Sequence, residues 1–290
     1  AALGLPTATE ILNAMPADKV GPMLAELDSK LAGDLVMQLT PLEHRGAVLG
    51  HMGTRPAAFV LRALEVRDAA QLMEAIPAGG AADLFRQLDV KIGAKLIGSM
   101  ESEHGAGLLN TLLFASATMA TTVTMVSLMQ QRVVVGLTQL MTVEASKLLF
   151  AKLPLKDAAD IMAAMEAEKA AMLFEALVMA ERKEEKKLCQ KLFEEVAEEH
   201  MRAGALILEA MDPSKAASLL KNLITAEREK LLAEMETEAE AAVREKLGAP
   251  KVEAKVEAED APQEAVPENE NSSKEVPSEE ADGEEVGGES

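Results

Sequence analysis

Trp and Tyr do not occur in this sequence of 290 residues, Phe occurs six times and cysteine once. The single Cys189 excludes an internal disulfide, and nothing in the use of cysteine points to an oxidising compartment. Basic residues are also scarce, 29 Lys and Arg against 49 Asp and Glu, for a net charge of -20. Phosphate neutralisation needs a basic surface, so nucleic acid is not expected among the partners. No charged n-region followed by an apolar h-region opens the sequence, so no secretory signal is expected and the expected location is cytoplasmic. An opening Ala in place of Met is what a processed chain or a fragment would show.

Without large aromatics, the core falls to Leu, Ile, Val, Ala and 17 Met, within an apolar content of 48% that is ordinary for a globular protein. The length allows one or two domains with a sizeable core. Such a core suits helices, with Met filling irregular gaps. The charge is unevenly spread. Residues 249–290 hold 14 Asp and Glu against 3 Lys, a net -11, which leaves -9 for the much longer body. That tail, rich in Pro, Ser, Gly and acid, cannot bury enough apolar surface to offset its ordering entropy and is expected to be disordered.

The body repeats itself. Apolar doublets begin at Ile11, Met23, Leu35, Val48, Val60, Leu72, Leu84, Leu96 and Leu108, in steps of 12 with a single 13. Four residues after each start stands another apolar residue: Met15, Leu27, Leu39, Met52, Leu64, Ile76, Leu88, Met100 and Leu112. Three residues before, most units carry a small residue, as at Ala8, Ala32, Ala57, Ala69, Ala81, Gly93 and Gly105; Val20 and Arg45 depart from this. At about 100° per residue these positions share an arc of about 140°, an apolar helical stripe, whereas a strand would scatter them to both faces. The units are separated by Pro16, Asp28, Thr40, Gly53, Glu65, Pro77, Asp89 and Glu101, largely the vocabulary of turns and caps.

"TPLE" at 40–43 reads as a capping box with Thr40 at N-cap, and "DPSK" at 212–215 as a second cap followed by Pro. The count resumes at Met125, Leu137, Leu149, Ile161 and Leu173, and again at Ile207, Leu219 and Leu231. Between these blocks residues 181–200 read as one longer charged helix, and Gly248 in "KLGAP" as the final stop. Helices of about nine residues are marginal alone, so they must stack on one another. The expected fold is all-α: a superhelical solenoid of short helices in about 12-residue units, paired every 24 residues or so, with a disordered acidic C-terminal tail. Its expected divisions are a repeat block over 1–112, continuing repeats over 113–248 and the tail over 249–290.

The stretch "TEILNAMPADKVGPMLAELDSKLAGDLVMQL" at 9–39 resembles the superhelical repeats of the intracellular N domain of the magnesium transporter MgtE, and the related middle domain of the flagellar rotor protein FliG. The doublet, the following apolar residue, the Pro or Asp after it and the small residue of the next helix carry the resemblance. It is good over 8–112 and patchier to about 235. It implies a compact right-handed bundle of short helices, which in the transporter helps close the channel when magnesium sits between cytosolic domains. The sequence shows no following sensor domain of mixed strands and no run of transmembrane helices, so the resemblance does not extend to transport activity.

Chemistry-bearing residues are sparse. His44, His51, His104 and His200 are scattered; the first two can share a helix face, but no second Cys or carboxylate cluster completes a metal set. Cys189 has no base or oxyanion pocket beside it in the sequence and reads as a half-buried packing thiol. Gly79-Gly80 lacks the strand and Lys of a phosphate loop and reads as a turn between units. Acidic residues at unit ends can take Mg²⁺ weakly but are explained by capping. Residues 105–131 carry no charge, yet ten of the 27 are Asn, Thr, Ser or Gln, so a buried helix pair is expected rather than membrane insertion. No catalytic, cofactor-binding or metal-ligating residue is assigned. The expected function is that of a non-enzymatic helical-repeat scaffold with a protein partner; the alternative is a Mg²⁺-responsive regulatory module linked to magnesium transport.

Overall fold

The computed structural model describes residues 5–248, within which the regular structure is entirely helical. The acidic tail expected over 249–290 lies outside the described residues. The chain opens with α1 (Leu5–Asn13), α2 (Ala17–Ala25), α3 (Ser29–Gln38), α4 (Leu42–His51) and α5 (Thr54–Ala63). It continues through α6 (Val66–Glu74), α7 (Ala78–Phe85), α8 (Val90–Ile97), α9 (Ser102–Phe114) and α10 (Met119–Ser127). Next come α11 (Gln131–Leu140), α12 (Val143–Phe150), α13 (Leu155–Ala164), α14 (Ala167–Val178) and α15 (Lys183–Glu199). The series closes with α16 (Met201–Ala210), α17 (Pro213–Leu220), α18 (Thr225–Glu234) and α19 (Thr237–Leu247).

Each doublet ends on the buried face of its helix, and the second residue is the deepest anchor. Four of the six Phe, namely Phe85, Phe150, Phe174 and Phe193, are fully buried, and Phe174 meets Phe193 edge-on at 5.4 Å. The first three stand second in their doublets, where an aromatic side chain gains most from burial. The charged stretch forms the single 17-residue helix α15, which buries Cys189, Leu192, Phe193, Val196 and Ala197 on one side. Gly248 ends α19 in the left-handed conformation, φ 70°.

Helix follows helix in a fixed order of neighbours. From α1 to α9, each helix packs principally on the next but one: α1 on α3, α2 on α4, and so on to α7 on α9. The small residues make this possible. A Cβ built on Gly105 of α9 would stand 2.7 Å from Leu137 of α11, and one on Gly93 of α8 would stand 2.8 Å from Met125 of α10. The two departures from the small position are explained by the next residue. Val20 and Arg45 are followed by Gly21 and Gly46, whose backbones lie against α4 and against Ala75 at the end of α6. The close approach has moved on by one residue.

Three local expectations need correction. Thr40 does not cap α4: the N-cap position falls on Pro41, which offers no side-chain acceptor, and the Thr40 N–H is instead donated to Asn13 Oδ1 at 2.9 Å. Gly79 and Gly80 do not form a turn, because α7 begins at Ala78, directly after Pro77 and six residues before its doublet, as α6 and α8 begin before theirs. The uncharged stretch 105–131 is a helix pair, most of α9 and all of α10, but α10 is only half buried. It turns Thr122, Met125 and Val126 inward and leaves Ala120, Thr124 and Ser127 in solvent. Its hydroxyls are satisfied within the helices: Thr122, Thr124 and Ser127 donate to carbonyls one turn back at 2.9, 3.0 and 3.1 Å. Among the described residues no helix is long and apolar enough to cross a membrane.

Candidate interaction surface

The regular order of neighbours breaks at α10. Five extra residues separate Leu108 from Met125 relative to the 12-residue step, and they lengthen α9 to 13 residues and delay α10 to Met119. The consequence is a change of partner. By the rule above α12 would lie on α10; it lies on α9 instead, while α10 keeps α8 and α9.

Three depressions flank α10. The largest, about 620 Å³, runs between the start of α6, the outer side of α8 and the link from α10 to α11. Val66, Ala94, Leu128, Met129 and Val133 give it an apolar floor, and Leu128 is 51% exposed. Lys91 and Lys95, one helical turn apart on α8, stand at its edge, exposed and outside every ion pair among the described residues. In a chain of charge -20 this is a local reversal of sign beside an apolar trough. A second depression of about 190 Å³ on the other side of α10 is polar, with Asp157 and Asp160 in its wall, and Asp160 is held at 2.7 Å by His200 Nε2. The third, about 210 Å³, lies against Thr118, Thr121 and Thr122.

The residues singled out for chemistry are dispersed. His44 and His51 occupy opposite ends of α4, His104 lies 3.6 Å from Glu101, and His200 faces Asp160. Cys189 is buried, its thiol pushed up to about 12 by loss of solvent, with only the Phe174 carbonyl at 3.9 Å; such a thiol stays protonated and unreactive. Among the described residues no three His, Cys, Asp or Glu side chains come together.

The unit-end acids divide by chain length. Asp28, Asp89 and Asp212 accept from backbone N–H groups of the first turn that follows, at 2.8 to 3.4 Å. Glu65, Glu101, Glu166 and Glu236 occupy the same N-cap position without such a bond, since the extra methylene carries the carboxylate past the first turn. A second use of acceptors escaped the sequence reading. Asn13, Glu74, Asn110, Glu175 and Glu209, each immediately after a doublet, accept the N–H of Thr40, Glu101, Thr142, Asp212 and Glu236 at 2.6 to 3.1 Å. In every case the donor stands at the entrance of the third helix along. Glu175 is the strongest of these. Lys215 Nζ at 2.6 Å and the Asp212 N–H at 2.7 Å hold its carboxyl below the ordinary glutamate range. The signal was present, an Asn or Glu following the doublet, but its partner lies 27 to 37 residues away, beyond any local pattern.

No curated protein matches this chain. A solved structure described as an engineered protein, from the Northeast Structural Genomics Consortium, is similar over 86% of this chain and 80% of its own, at 14% identity and a TM-score of 0.32. Residues 34–117, from the middle of α3 to the link that precedes α10, match the family described as the MgtE intracellular N domain, so the recognised segment stops where the order of helices breaks.

Proposed function

We propose that this chain is a non-enzymatic helical-repeat module that binds a protein partner, and that the partner sits in the trough between α6, α8 and the α10–α11 link. The observation that carries this reading is the apolar floor of Val66, the exposed Leu128 and Val133, with Lys91 and Lys95 beside it. A helix of the partner with an apolar stripe and acidic flanks would place its apolar side against Leu128 and its carboxylates toward the two lysines. A cytoplasmic location belongs to the same reading and draws on the word intracellular in the matched family's description. The test is comparative capture. The full chain and its Leu128→Glu variant, altered at an exposed position, are used as paired baits. Proteins held by the first and released by the second support the reading; an identical set on both removes the trough from it.

A second reading is favoured by the family match over residues 34–117: a Mg²⁺-responsive regulatory module. Exposed carboxylates bind such hard cations through oxygen. Calorimetric titration of the full chain with Mg²⁺ decides it, since neither heat nor a change in melting temperature leaves that reading without support.

A further inference from the structure

One further depression, of about 430 Å³, opens where the turn between α2 and α3 meets the start of α5. The buried Leu24 and Met52 line it from within, and Leu27 and Phe59, 41% and 45% exposed, stand in its walls. A single aromatic ring in solvent is ordinary on a protein surface. What marks Phe59 is its company. Arg55 and Arg62 lie one turn before it and one turn after it on the same side of α5, and their guanidinium carbons stand 5.8 and 5.9 Å from the centre of its ring. Both arginines are exposed and outside every ion pair among the described residues.

A guanidinium held against an aromatic face keeps its N–H edge free for a carboxylate, and the ring restrains a long side chain that would otherwise lose its freedom only on binding. The site is therefore prepared for an anion beside an apolar hollow. The one acid in the wall, Asp28, is turned to its own helix, where its carboxylate accepts the Lys30 N–H at 3.0 Å and the Leu31 N–H at 3.4 Å.

We propose that this depression and its two arginines form a docking site for an acidic segment of a protein partner. An apolar side chain of that segment enters between Leu27 and Phe59, and carboxylates on either side of it meet Arg55 and Arg62. Charge complementarity selects this occupant: two free guanidiniums answer a few carboxylates, whereas a long polyanion such as nucleic acid would be repelled by a chain of charge -20. The residue types agree. Aromatic side chains and Arg are enriched at the centres of interfaces, and Arg beside an aromatic is a frequent energetic anchor there.

The test is fluorescence anisotropy with the peptide Glu-Glu-Leu-Glu-Glu, labelled with an uncharged dye, titrated with the full chain to about 1 mM. Saturable binding is expected, with a dissociation constant below about 300 µM. Arg55→Gln/Arg62→Gln and Phe59→Ala, all at exposed positions, are each expected to weaken it at least about tenfold with unchanged helicity. Arg132→Gln, which removes an exposed arginine of α11, leaves it within about twofold. Glycine in place of the peptide's leucine costs about tenfold as well. A peptide that does not bind by about 1 mM overturns the proposal. So does binding that the arginine variants leave unchanged, or a glycine peptide held as well as the leucine one, which is adsorption of charge and not docking. Arginine-dependent sedimentation with phosphatidylserine vesicles in place of peptide binding also overturns it and assigns the site to a lipid surface. The depression shares no lining residue with the trough beside α10, so this outcome and that of the paired capture are independent.

Discussion

Two glycines one turn apart in α4, Gly46 and Gly50, put the stacking rule to a quantitative test. A Cβ on Gly46 would lie 2.5 Å from the Ala75 carbonyl oxygen and 2.7 Å from the Ala75 Cβ; a Cβ on Gly50 would meet nothing within 4 Å. The intrinsic effect of Gly→Ala is the same at both positions, a helix-interior gain of about 0.5–1 kcal/mol. At Gly50 that gain stands alone, so Gly50→Ala is expected to stabilise by that amount. At Gly46 the new methyl strikes main chain, which cannot rotate aside, so α4 and α6 must separate. Overpacking of this kind costs about 1–3 kcal/mol, and the separation also thins the contacts of Val48 and Leu49, both fully buried. The net effect of Gly46→Ala is a loss of about 1–2 kcal/mol after the helix gain is subtracted. Urea unfolding followed by helical circular dichroism reads both variants on one scale, and the two midpoints should move in opposite directions. Equal shifts would refute the reasoning, because they would mean that α4 and α6 are not in backbone contact and that only helix propensity is being measured.

Other expectations follow from single side chains. The Ser146 hydroxyl is fully buried in the small position of α12 without a hydrogen-bond partner, so Ser146→Ala is expected to leave stability unchanged or raise it by about 1 kcal/mol, read by the melting temperature. Asp212→Ala removes the cap of α17 and is expected to cost about 1 kcal/mol, whereas Glu101→Ala, at a position whose side chain makes no cap bond, should cost much less; thermal melts of the pair decide it. Glu175→Gln is expected to destabilise near neutral pH by about 1–2 kcal/mol, a figure reduced for partial solvent screening. Because the Glu175 carboxyl is held below its ordinary range, its contribution is complete above the unfolded value and is lost as pH falls through the folded one. The margin of the native chain over Glu175→Gln in urea should therefore shrink from neutral pH to about pH 3.

Periodicity made the helices legible because a 12-residue recurrence of apolar doublets has no other regular solution, and α1 to α9 fall where the doublets place them. The caps were legible where a short Asp side chain stands at the helix entrance, as at Asp28, Asp89 and Asp212. Asp212-Pro213 holds, while Thr40-Pro41 yields to a competing acceptor, Asn13, that lies 27 residues earlier. The small position was half legible: Ala32 and Gly105 mark it, but the slip from Val20 to Gly21 and from Arg45 to Gly46 needed the third dimension, since a helix can present either of two adjacent residues to a neighbour. The trough was not legible at all. Leu128 and Val66 belong to different units and neither holds a stripe position; Leu128 stands three residues after the start of its doublet, where Leu140 of the next unit is equally exposed, and only the fold brings the two residues to one trough.

A solenoid propagates because each unit presents to the next the same surface it received, so a unit of the wrong length cannot be passed over silently. Five residues are added between Leu108 and Met125, and beyond them α12 lies against α9 and α14. The match to the N-domain family ends at 117, within the lengthened interval between Leu108 and Met125, and the 12-residue rhythm resumes at Met125. The repeats beyond it are the same kind of structure attached through a fault. Beside this break an apolar trough with the exposed Leu128 adjoins Lys91 and Lys95, which are outside every ion pair among the described residues.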